Sequence, residues 1–224
     1  METTPSKIGY ILNKLKTKSF SQIIAKIVKR VTRVFFIRVK GLFLKYTEWP
    51  MDTSILEQFK VQLRVISPEE ISLLSDREYY SKRIWDDRWR QGAQLLGAIW
   101  NGQIIEYCWI IQGGSYRDIF DGFCIKLNPG ECYLFDYRAL KGKPEELRHY
   151  RIMKVLVQFV FQLMKKSLPD YDNVCYTVVV ERNEKSLFFF RNYFHAELVA
   201  NIWFHKFLFW KWFNQENIEG DIKC

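Results

Sequence analysis

The stretch Glu131–Leu156, ECYLFDYRALKGKPEELRHYRIMKVL, joins a strand-like run to the start of a long apolar helix. Glu131–Leu140 is predicted to be a strand, and residues from Glu145 to Lys166 place apolar side chains at helical spacing. Where a strand leads through a short loop into a helix, free backbone N–H groups at the helix start can bind a phosphate. Such loops usually carry glycine, whereas this helix start carries Arg148, His149, Tyr150 and Arg151.

The composition predicts a folded chain with a large core and an unevenly charged surface. Of the 224 residues, 48% are apolar and 17% aromatic, which is enough to fill a sizeable core. The net charge of +9 arises in residues 1–50, which hold eleven Lys and Arg against Glu2 and Glu48, while residues 51–224 hold 23 basic and 23 acidic side chains. We therefore divide the chain into a basic N-terminal extension, residues 1–50, and a domain, residues 51–224.

Within the extension, residues 20–35 have the pattern of an amphipathic helix with a basic face. One interpretation places residues 20–46 on an anionic membrane surface, where each basic side chain contributes about 1 kcal/mol. The alternative is a helix that packs on the domain and exposes its charges to water. A nucleic-acid partner is disfavoured because interleaved aromatic residues are absent from this segment. After Phe36 the pattern changes, and we interpret Gly41–Pro50 as a joint.

The cysteines and histidines exclude several classes of protein. Five cysteines without a C-x-x-C pair are typical of free thiols in a reducing compartment. No apolar run approaches the roughly 18 residues that a spanning helix needs, and no secretion signal is recognised. We therefore expect a cytoplasmic location, with peripheral membrane contact as an addition. The three histidines lack metal-ligand spacing, and no hydrolase signature is present; they are His149, His195 and His205.

Downstream of the joint, strand patterns alternate with helix patterns. The sequence predicts a strand at Phe59–Val65, a helix capped by Ser67, and a hairpin of Gln94–Trp100 and Gln103–Ile111 about Asn101-Gly102. After a turn at Asn128–Gly130 come the strand and helix quoted above. The chain then continues with a strand at Asn173–Glu181, a helix at Asn183–Phe194 and a strand pair or bent strand at Leu198–Phe213. This order predicts an α/β fold.

Three strings in this order resemble the GNAT N-acetyltransferase superfamily over residues 58–213. FKVQLRVISPEEISLL is similar to the family's opening strand and helix, GAIWNGQIIEYCWI to its hairpin, and VVVERNEKSLFFFRNYF to its strand followed by N-x-x-S. The resemblance implies a mixed, mostly antiparallel central sheet flanked by helices, here preceded by the N-terminal amphipathic helix. It also implies acetyl-CoA, or another acyl-CoA, as cofactor.

In this family one strand splays from its neighbour to admit the pantetheine arm, and the next turn holds the pyrophosphate. The resemblance implies cofactor-binding residues on the strand end, the turn and the N-x-x-S segment: Tyr137, Arg138, Ala139, Leu140, Arg148, His149, Tyr150, Arg151, Ile152, Met153, Asn183 and Ser186. Arg148 occupies the family's R/Q position, but Arg151 and Met153 replace its two small residues. A side chain at these positions would point into the space of the pyrophosphate. Asn183 and Ser186 have a simple helix cap as their alternative role.

Three interpretations of the Arg-rich turn remain open. In the first, Arg148, His149 and Arg151 bind the anion through side-chain forks in a slightly enlarged turn. In the second, the fold is kept while cofactor binding is weakened or lost. In the third, the turn is a solvated helix start. Cations are unfavourable at that end of a helix dipole, which favours an anionic partner over the third interpretation.

For amide formation the attacking amine must lose a proton, so a carboxylate beside the cofactor gap is the expected base. Asp136 and Glu181, on the strands that would flank the gap, are the candidate catalytic residues; each has an exposed strand residue as its alternative. At the position of the family's tyrosine acid the sequence has Phe189 or Phe190. Tyr193 lies nearby in sequence and is interpreted as a packed aromatic residue.

The resemblance therefore implies an acyl-CoA-dependent N-acyltransferase, in its simplest form an N-acetyltransferase, acting on a small-molecule amine. An amino sugar or cell-envelope precursor is the substrate class it suggests by analogy. The alternatives are a catalytically inactive GNAT-like binding module and a membrane-peripheral scaffold.

Overall fold

The structure is a computed structural model, and it describes residues 36–48, 53–73, 82–118, 122–140, 145–147, 151–170, 173–207 and 210–217. The predicted helix at residues 20–35 lies outside this part of the chain. The described residues form eight strands: β1 (Phe36–Thr47), β2 (Gln62–Ile66), β3 (Gln94–Trp100), β4 (Gln103–Arg117), β5 (Cys124–Ala139), β6 (Val174–Val180), β7 (Glu197–Phe207) and β8 (Trp210–Asn217). They also form four α-helices: α1 (Ser54–Phe59), α2 (Lys82–Arg90), α3 (Arg151–Ser167) and α4 (Glu184–Phe194).

The eight strands form one sheet in the order β2-β3-β4-β5-β6-β1-β7-β8. Strand β6 pairs antiparallel with β1, and β2 to β5 pair antiparallel in succession, whereas β5 and β6 run parallel. A parallel pair needs a crossover connection, and helix α3 provides it between β5 and β6. The predicted mixed, mostly antiparallel sheet with helices is confirmed at this level.

The hairpin of β3 and β4 forms where the sequence predicts it. Asn101 and Gly102 both adopt positive φ, 49° and 75°. This conformation matches the twist of a two-residue hairpin and is tolerated by Asn and Gly. Strand β4 continues beyond the predicted end at Ile111 to Arg117.

The interpretation of Gly41–Pro50 as a joint is wrong for its described residues, because Gly41–Thr47 belongs to strand β1. These seven residues pair antiparallel with Val174–Val180 of β6. The glycine has a packing role rather than a hinge role. A Cβ atom on Gly41 would lie 2.8 Å from Cγ1 of Val178, so the strand can approach its neighbour only without a side chain there.

Each face of the sheet carries its own core. On one face, α1, α3 and α4 pack on the strands, with Leu44, Leu156 and Phe161 fully buried. The other face is covered by α2 and by aromatic side chains, including Trp85, Trp109 and Phe135. Full burial of each such side chain stabilises the fold by about 1.5–3 kcal/mol. Aromatic side chains fill both cores and are somewhat more numerous in the second.

Other boundaries differ from those predicted. The segment after Ser67 forms a short 3-10 helix, Pro68–Leu73, rather than an α-helix, although Glu70 accepts the predicted capping bond from the Ser67 N–H at 3.1 Å. Asn128–Gly130 does not precede a strand but lies inside β5, opposite an irregularity of β4. Helix α3 begins at Arg151, after a separate 3-10 turn at Glu145–Leu147. Helices α1 and α2 were not predicted.

Contacts divide the chain into two units. Unit 1 comprises Met1–Arg38 and His205–Lys211, and unit 2 comprises Val39–Phe204 and Trp212–Cys224. Among the described residues, no helix is both long enough and apolar enough to cross a membrane.

Candidate functional site

The parallel strands β5 and β6 are paired over only three residues. The pairs are Glu131 with Val174, Cys132 with Cys175 and Tyr133 with Tyr176. Beyond them β5 continues to Ala139, paired with β4, and β6 continues to Val180, paired with β1. Both strands therefore extend past the point where they stop pairing with each other. We call this opening of the strand pair the divergence of β5 and β6.

A β-bulge lies in β5 at the level of this divergence. Tyr107 of β4 faces Arg138 and Trp109 faces Phe135, so Asp136 and Tyr137 together stand opposite the single residue Cys108. Asp136 adopts a left-handed conformation with φ of 49°, which Asp tolerates better than most residues. A bulge bends its strand and adds twist, so it can turn the end of β5 away from β6.

The Asp136 carboxylate is held by two guanidinium groups. Its Oδ2 accepts a hydrogen bond from Arg88 Nη1 at 2.6 Å, and its Oδ1 accepts one from Arg138 Nε at 3.0 Å. The side chain is 8% exposed. For Asp136 to accept a proton from a substrate, one of these charge-assisted bonds would have to open. Asp136, the candidate base, therefore lies beside the divergence, but its carboxylate is already hydrogen-bonded to Arg88 and Arg138.

Arg88 of helix α2 is buried and was not identified from the sequence. Its guanidinium lies 5.3 Å from the ring centre of Trp109 and 5.1 Å from that of Phe135, and Nη2 is 3.5 Å from Oδ2 of Asp118. Burial acts to lower the pKa of Arg88, but the Asp136 and Asp118 carboxylates raise it above its ordinary value. Through its hydrogen bond to Asp136, Arg88 connects helix α2 to the β-bulge.

The remaining candidates on β5 have different environments. Tyr137 packs against the core under α3, Arg138 is 36% exposed, and Ala139 is exposed. The Leu140 N–H donates to the Ile105 carbonyl at 2.8 Å. Of these residues, Arg138 and Ala139 present the most accessible side chains at the end of the strand.

At the start of α3, Arg148, His149 and Tyr150 lie outside the described residues, and Arg151 is the first residue of the helix. Ile152 and Met153 are 0% and 4% exposed and belong to the core. The Met153 side chain is therefore packed in the core. Ile152 and Met153 could contact an anion only through their backbone.

Glu181 and the N-x-x-S pair lie just after β6. Glu181 is in a turn rather than in the strand; its carboxylate bonds Lys40 Nζ at 2.7 Å and the side chain is 53% exposed. Asn183 caps helix α4, accepting from the Ser186 N–H at 3.3 Å. The alternative role of this pair as a helix cap is present in the structure, and it would orient the start of α4.

The aromatic residues of α4 separate into core and surface. Phe189 and Phe190 are buried, whereas Tyr193 is 36% exposed and lies under Lys154 Nζ, 3.4 Å from its ring centre. The interpretation of Tyr193 as a packed aromatic residue therefore holds only in part. Its hydroxyl is the nearest phenol in sequence to the position where the family carries one.

Glu106 on β4 is a second buried ionisable residue that was not identified from the sequence. It is 1% exposed and pairs with Ala139 of β5. Burial raises its pKa from the ordinary 4.5 to about 9, so the folded protein holds it protonated at neutral pH. The signal in the sequence is an acid inside the apolar run QIIEYCWII.

Two cysteine thiols lie where β5 and β6 are still paired, next to the point where the strands diverge. Cys132 and Cys175 are free, fully buried and form the middle pair of the ladder, with Sγ atoms 2.9 Å apart. The Tyr46 hydroxyl lies 3.1 Å from Cys175 Sγ. Burial raises the pKa of Cys132 and of Tyr46, so both remain protonated and unreactive as nucleophiles. In the described residues, no group of three His, Cys, Asp or Glu side chains could hold a metal ion.

Comparison with known proteins yields only distant structural likenesses. No protein-family model matches the sequence, and no curated protein does. A conserved protein of unknown function from Staphylococcus epidermidis matches with a TM-score of 0.46 at 11% identity, over 90% of this chain and 70% of that one. A Drosophila protein matches with a TM-score of 0.45 at 13% identity. The match covers 82% of this chain and 57% of the Drosophila protein.

A GCN5-related N-acetyltransferase from Kribbella flavida matches with a TM-score of 0.37 at 8% identity, over 85% of this chain and 63% of that one. Likenesses at this level of identity and TM-score do not assign an activity to this chain.

Proposed function

We propose that this chain is an acyl-CoA-dependent N-acyltransferase of the GNAT type, which transfers an acetyl or longer acyl group to an amine. The observation that carries the proposal is the ladder of β5 and β6, which stops after three pairs while both strands continue. A parallel pair that opens in this way leaves one backbone edge of each strand available to the amide groups of a pantetheine arm.

The placement of α3 supports the same proposal. The chain leaves β5 at Ala139 and enters α3 at Arg151, so the helix N-terminus follows the open end of the strand pair. A helix N-terminus attracts anions through its free N–H groups and its dipole. In this proposal the turn with Arg148, His149, Tyr150 and Arg151 receives the pyrophosphate, and Arg138 lies at the strand end that leads to it.

The acceptor in this proposal is a small-molecule amine, with an amino sugar or cell-envelope precursor as the class to test first. Asp136 would serve as base, directly or through water, after releasing one of its guanidinium partners. Glu181 is the second candidate and would have to leave Lys40. An anionic membrane surface, contacted through residues 20–46, belongs to the same proposal.

Calorimetric titration of the full chain with acetyl-CoA tests cofactor binding. Saturable micromolar binding is expected, and Arg148→Glu should weaken it at least tenfold by placing a negative charge beside the pyrophosphate. Arg117→Glu is the matched control, because Arg117 is exposed and pairs with Cys124 at the opposite end of β5. The absence of heat and of thermal stabilisation at millimolar acetyl-CoA would contradict the proposal.

A second candidate function is a cofactor-binding module without catalysis. It is favoured by Asp136, whose two carboxylate oxygens are both engaged, and by Phe189 and Phe190 at the position of the family's tyrosine. Release of free CoA thiol from acetyl-CoA in the presence of a panel of amines and amino sugars separates the two. Amine-dependent release supports the enzyme, and cofactor binding without release for any amine supports the module.

A further inference from the structure

The backbone at Asp136 has a conformation that strands rarely contain. Among the described residues, three other non-glycine residues have positive φ, and they lie where chains commonly adopt it: Lys60 and His195 end helices α1 and α4, and Asn101 is in the hairpin turn. Asp136 has its φ of 49° inside strand β5. Such a conformation is unfavourable for a non-glycine residue and persists only where the surrounding structure imposes it.

The β-bulge also changes which core Asp136 faces. Leu134 belongs to the core under α3, and Phe135 belongs to the aromatic core on the other face of the sheet. Regular alternation would place Asp136 in the first core and Tyr137 in the second, but Tyr137 packs in the first. The extra residue therefore turns the Asp136 carboxylate toward α2, where it bonds Arg88. A regular strand would direct this carboxylate into the apolar core under α3.

Arg88 anchors the Asp136 carboxylate to a different element of the fold. Arg138, the other partner, lies two residues further along the same strand, so it can move together with the strand end. Arg88 belongs to α2, and its guanidinium lies against the rings of Trp109 and Phe135. A buried ion pair is costly to break on one side, because the remaining charge stays desolvated. The pair of Arg88 and Asp136 therefore favours the bulged strand over a regular one.

The bulge lies where the ladder of β5 and β6 would otherwise continue. The ladder ends with the pair of Tyr133 and Tyr176, and the same register would next pair residues 134–137 with residues 177–180. A bulge bends its strand and disrupts the ladder beside it. The strands can therefore pair further only if β5 becomes regular, which would require Asp136 to leave Arg88.

We infer that Arg88 is a positioning residue, whose ion pair with Asp136 holds the β-bulge and thereby keeps β5 and β6 apart. The divergence is then present in the chain before any ligand binds, and helix α2, on the face of the sheet opposite α3, maintains it. The inference rests on the proposed function only for the identity of the ligand that enters the divergence, an acyl-CoA.

Hydrogen exchange and acetyl-CoA titration of the full chain test this role together. The double variant Arg88→Met with Asp136→Val removes both charges, and valine disfavours positive φ and suits the apolar core. Residues 134–137 and 177–180 should then pair, so their exchange without ligand should slow at least tenfold. Acetyl-CoA should bind at least tenfold more weakly. Slower exchange distinguishes this role from a merely structural one, because simple destabilisation speeds exchange.

Two conservative variants should keep the divergence open. Asp136→Asn retains a residue that tolerates positive φ and an oxygen that can accept from Arg88, and Arg88→Lys retains the cation. Both should keep the exchange of the parent chain in these segments and an acetyl-CoA affinity within about threefold of it. Arg90→Met is the matched control on α2, because the Arg90 side chain is 71% exposed and pairs with Asp87; it should change neither measurement.

Unchanged or faster exchange of both segments in the double variant would overturn the inference, as would acetyl-CoA affinity equal to that of the parent chain. Slower exchange or a tenfold loss of affinity in both conservative variants would also overturn it, whether or not the double variant folds. If the parent chain fails to bind acetyl-CoA while the double variant exchanges more slowly, the proposed function fails and the positioning role of Arg88 stands.

Discussion

Replacement of Glu106 by Gln should remove a large pH dependence from the stability of this protein. Burial raises the pKa of Glu106 from 4.5 to about 9, so the folded state keeps a proton that the unfolded state loses above pH 4.5. The stabilising effect of that proton is complete below the unfolded pKa and declines as the pH rises toward the folded pKa. In this window the free energy of unfolding falls by about 1.4 kcal/mol per pH unit, and by at most about 6 kcal/mol across it.

The measurement is urea unfolding, followed by tryptophan fluorescence, at intervals from pH 5 to pH 8 and at constant ionic strength. Glutamine has nearly the shape of the protonated carboxyl group but cannot ionise. The stability of the E106Q variant relative to the parent chain should therefore increase by about 1.4 kcal/mol for each pH unit. The exposed Glu57→Gln on α1 is the matched control and should follow the parent chain. Parallel pH profiles for the parent chain and E106Q would refute the assignment of Glu106 as a buried, protonated acid.

Three further predictions concern packing and the buried charges. Asp136→Asn leaves Arg88 buried without its closest carboxylate and should lower the free energy of unfolding by about 3–5 kcal/mol. The double variant with Arg88→Met should lose less stability than the sum of the two single variants. Strictly additive losses would count against an interaction between the two side chains. Gly41→Ala places a Cβ atom 2.8 Å from Val178 Cγ1 and should destabilise the protein by about 1–3 kcal/mol. An unchanged melting temperature would show that β1 and β6 are further apart than this distance requires. Iodoacetamide should modify Cys108, Cys132 and Cys175 in the unfolded protein but not in the folded protein, because all three are fully buried. Peptide mass spectrometry identifies the labelled cysteines. Rapid labelling of Cys132 or Cys175 in the folded protein would contradict their burial.

Local signals in the sequence predicted the parts of the fold that local chemistry determines. Asn101-Gly102 predicted the β3–β4 hairpin, because a two-residue turn at positive φ needs such residues. Apolar spacing predicted α3 and α4, since one face of each must meet the sheet. Strand β1 was not predicted because its residues follow directly on the basic segment, and its glycine resembles an interruption unless the neighbouring strand is known.

The candidate site was predictable only where a motif carried it. Asp136 was identified from its strand, but its bulge has no glycine to mark it, and its partners Arg88 and Arg138 are set by the packing of α2 on the sheet. Arg88 resembles one more surface charge in KRIWDDRWR, and only the tertiary structure reveals that it is buried. The role of Asn183 as a helix cap followed from local chemistry alone.

Hydrogen exchange of the full chain with and without saturating acetyl-CoA, resolved to short peptides by mass spectrometry, tests most directly whether the opening between β5 and β6 receives the cofactor. The account predicts slower exchange of the amides in residues 134–139 of β5 and 177–180 of β6, and in the turn that leads into α3, with little change in the β3–β4 hairpin. Unchanged exchange along both diverging strand ends at saturating cofactor would contradict it.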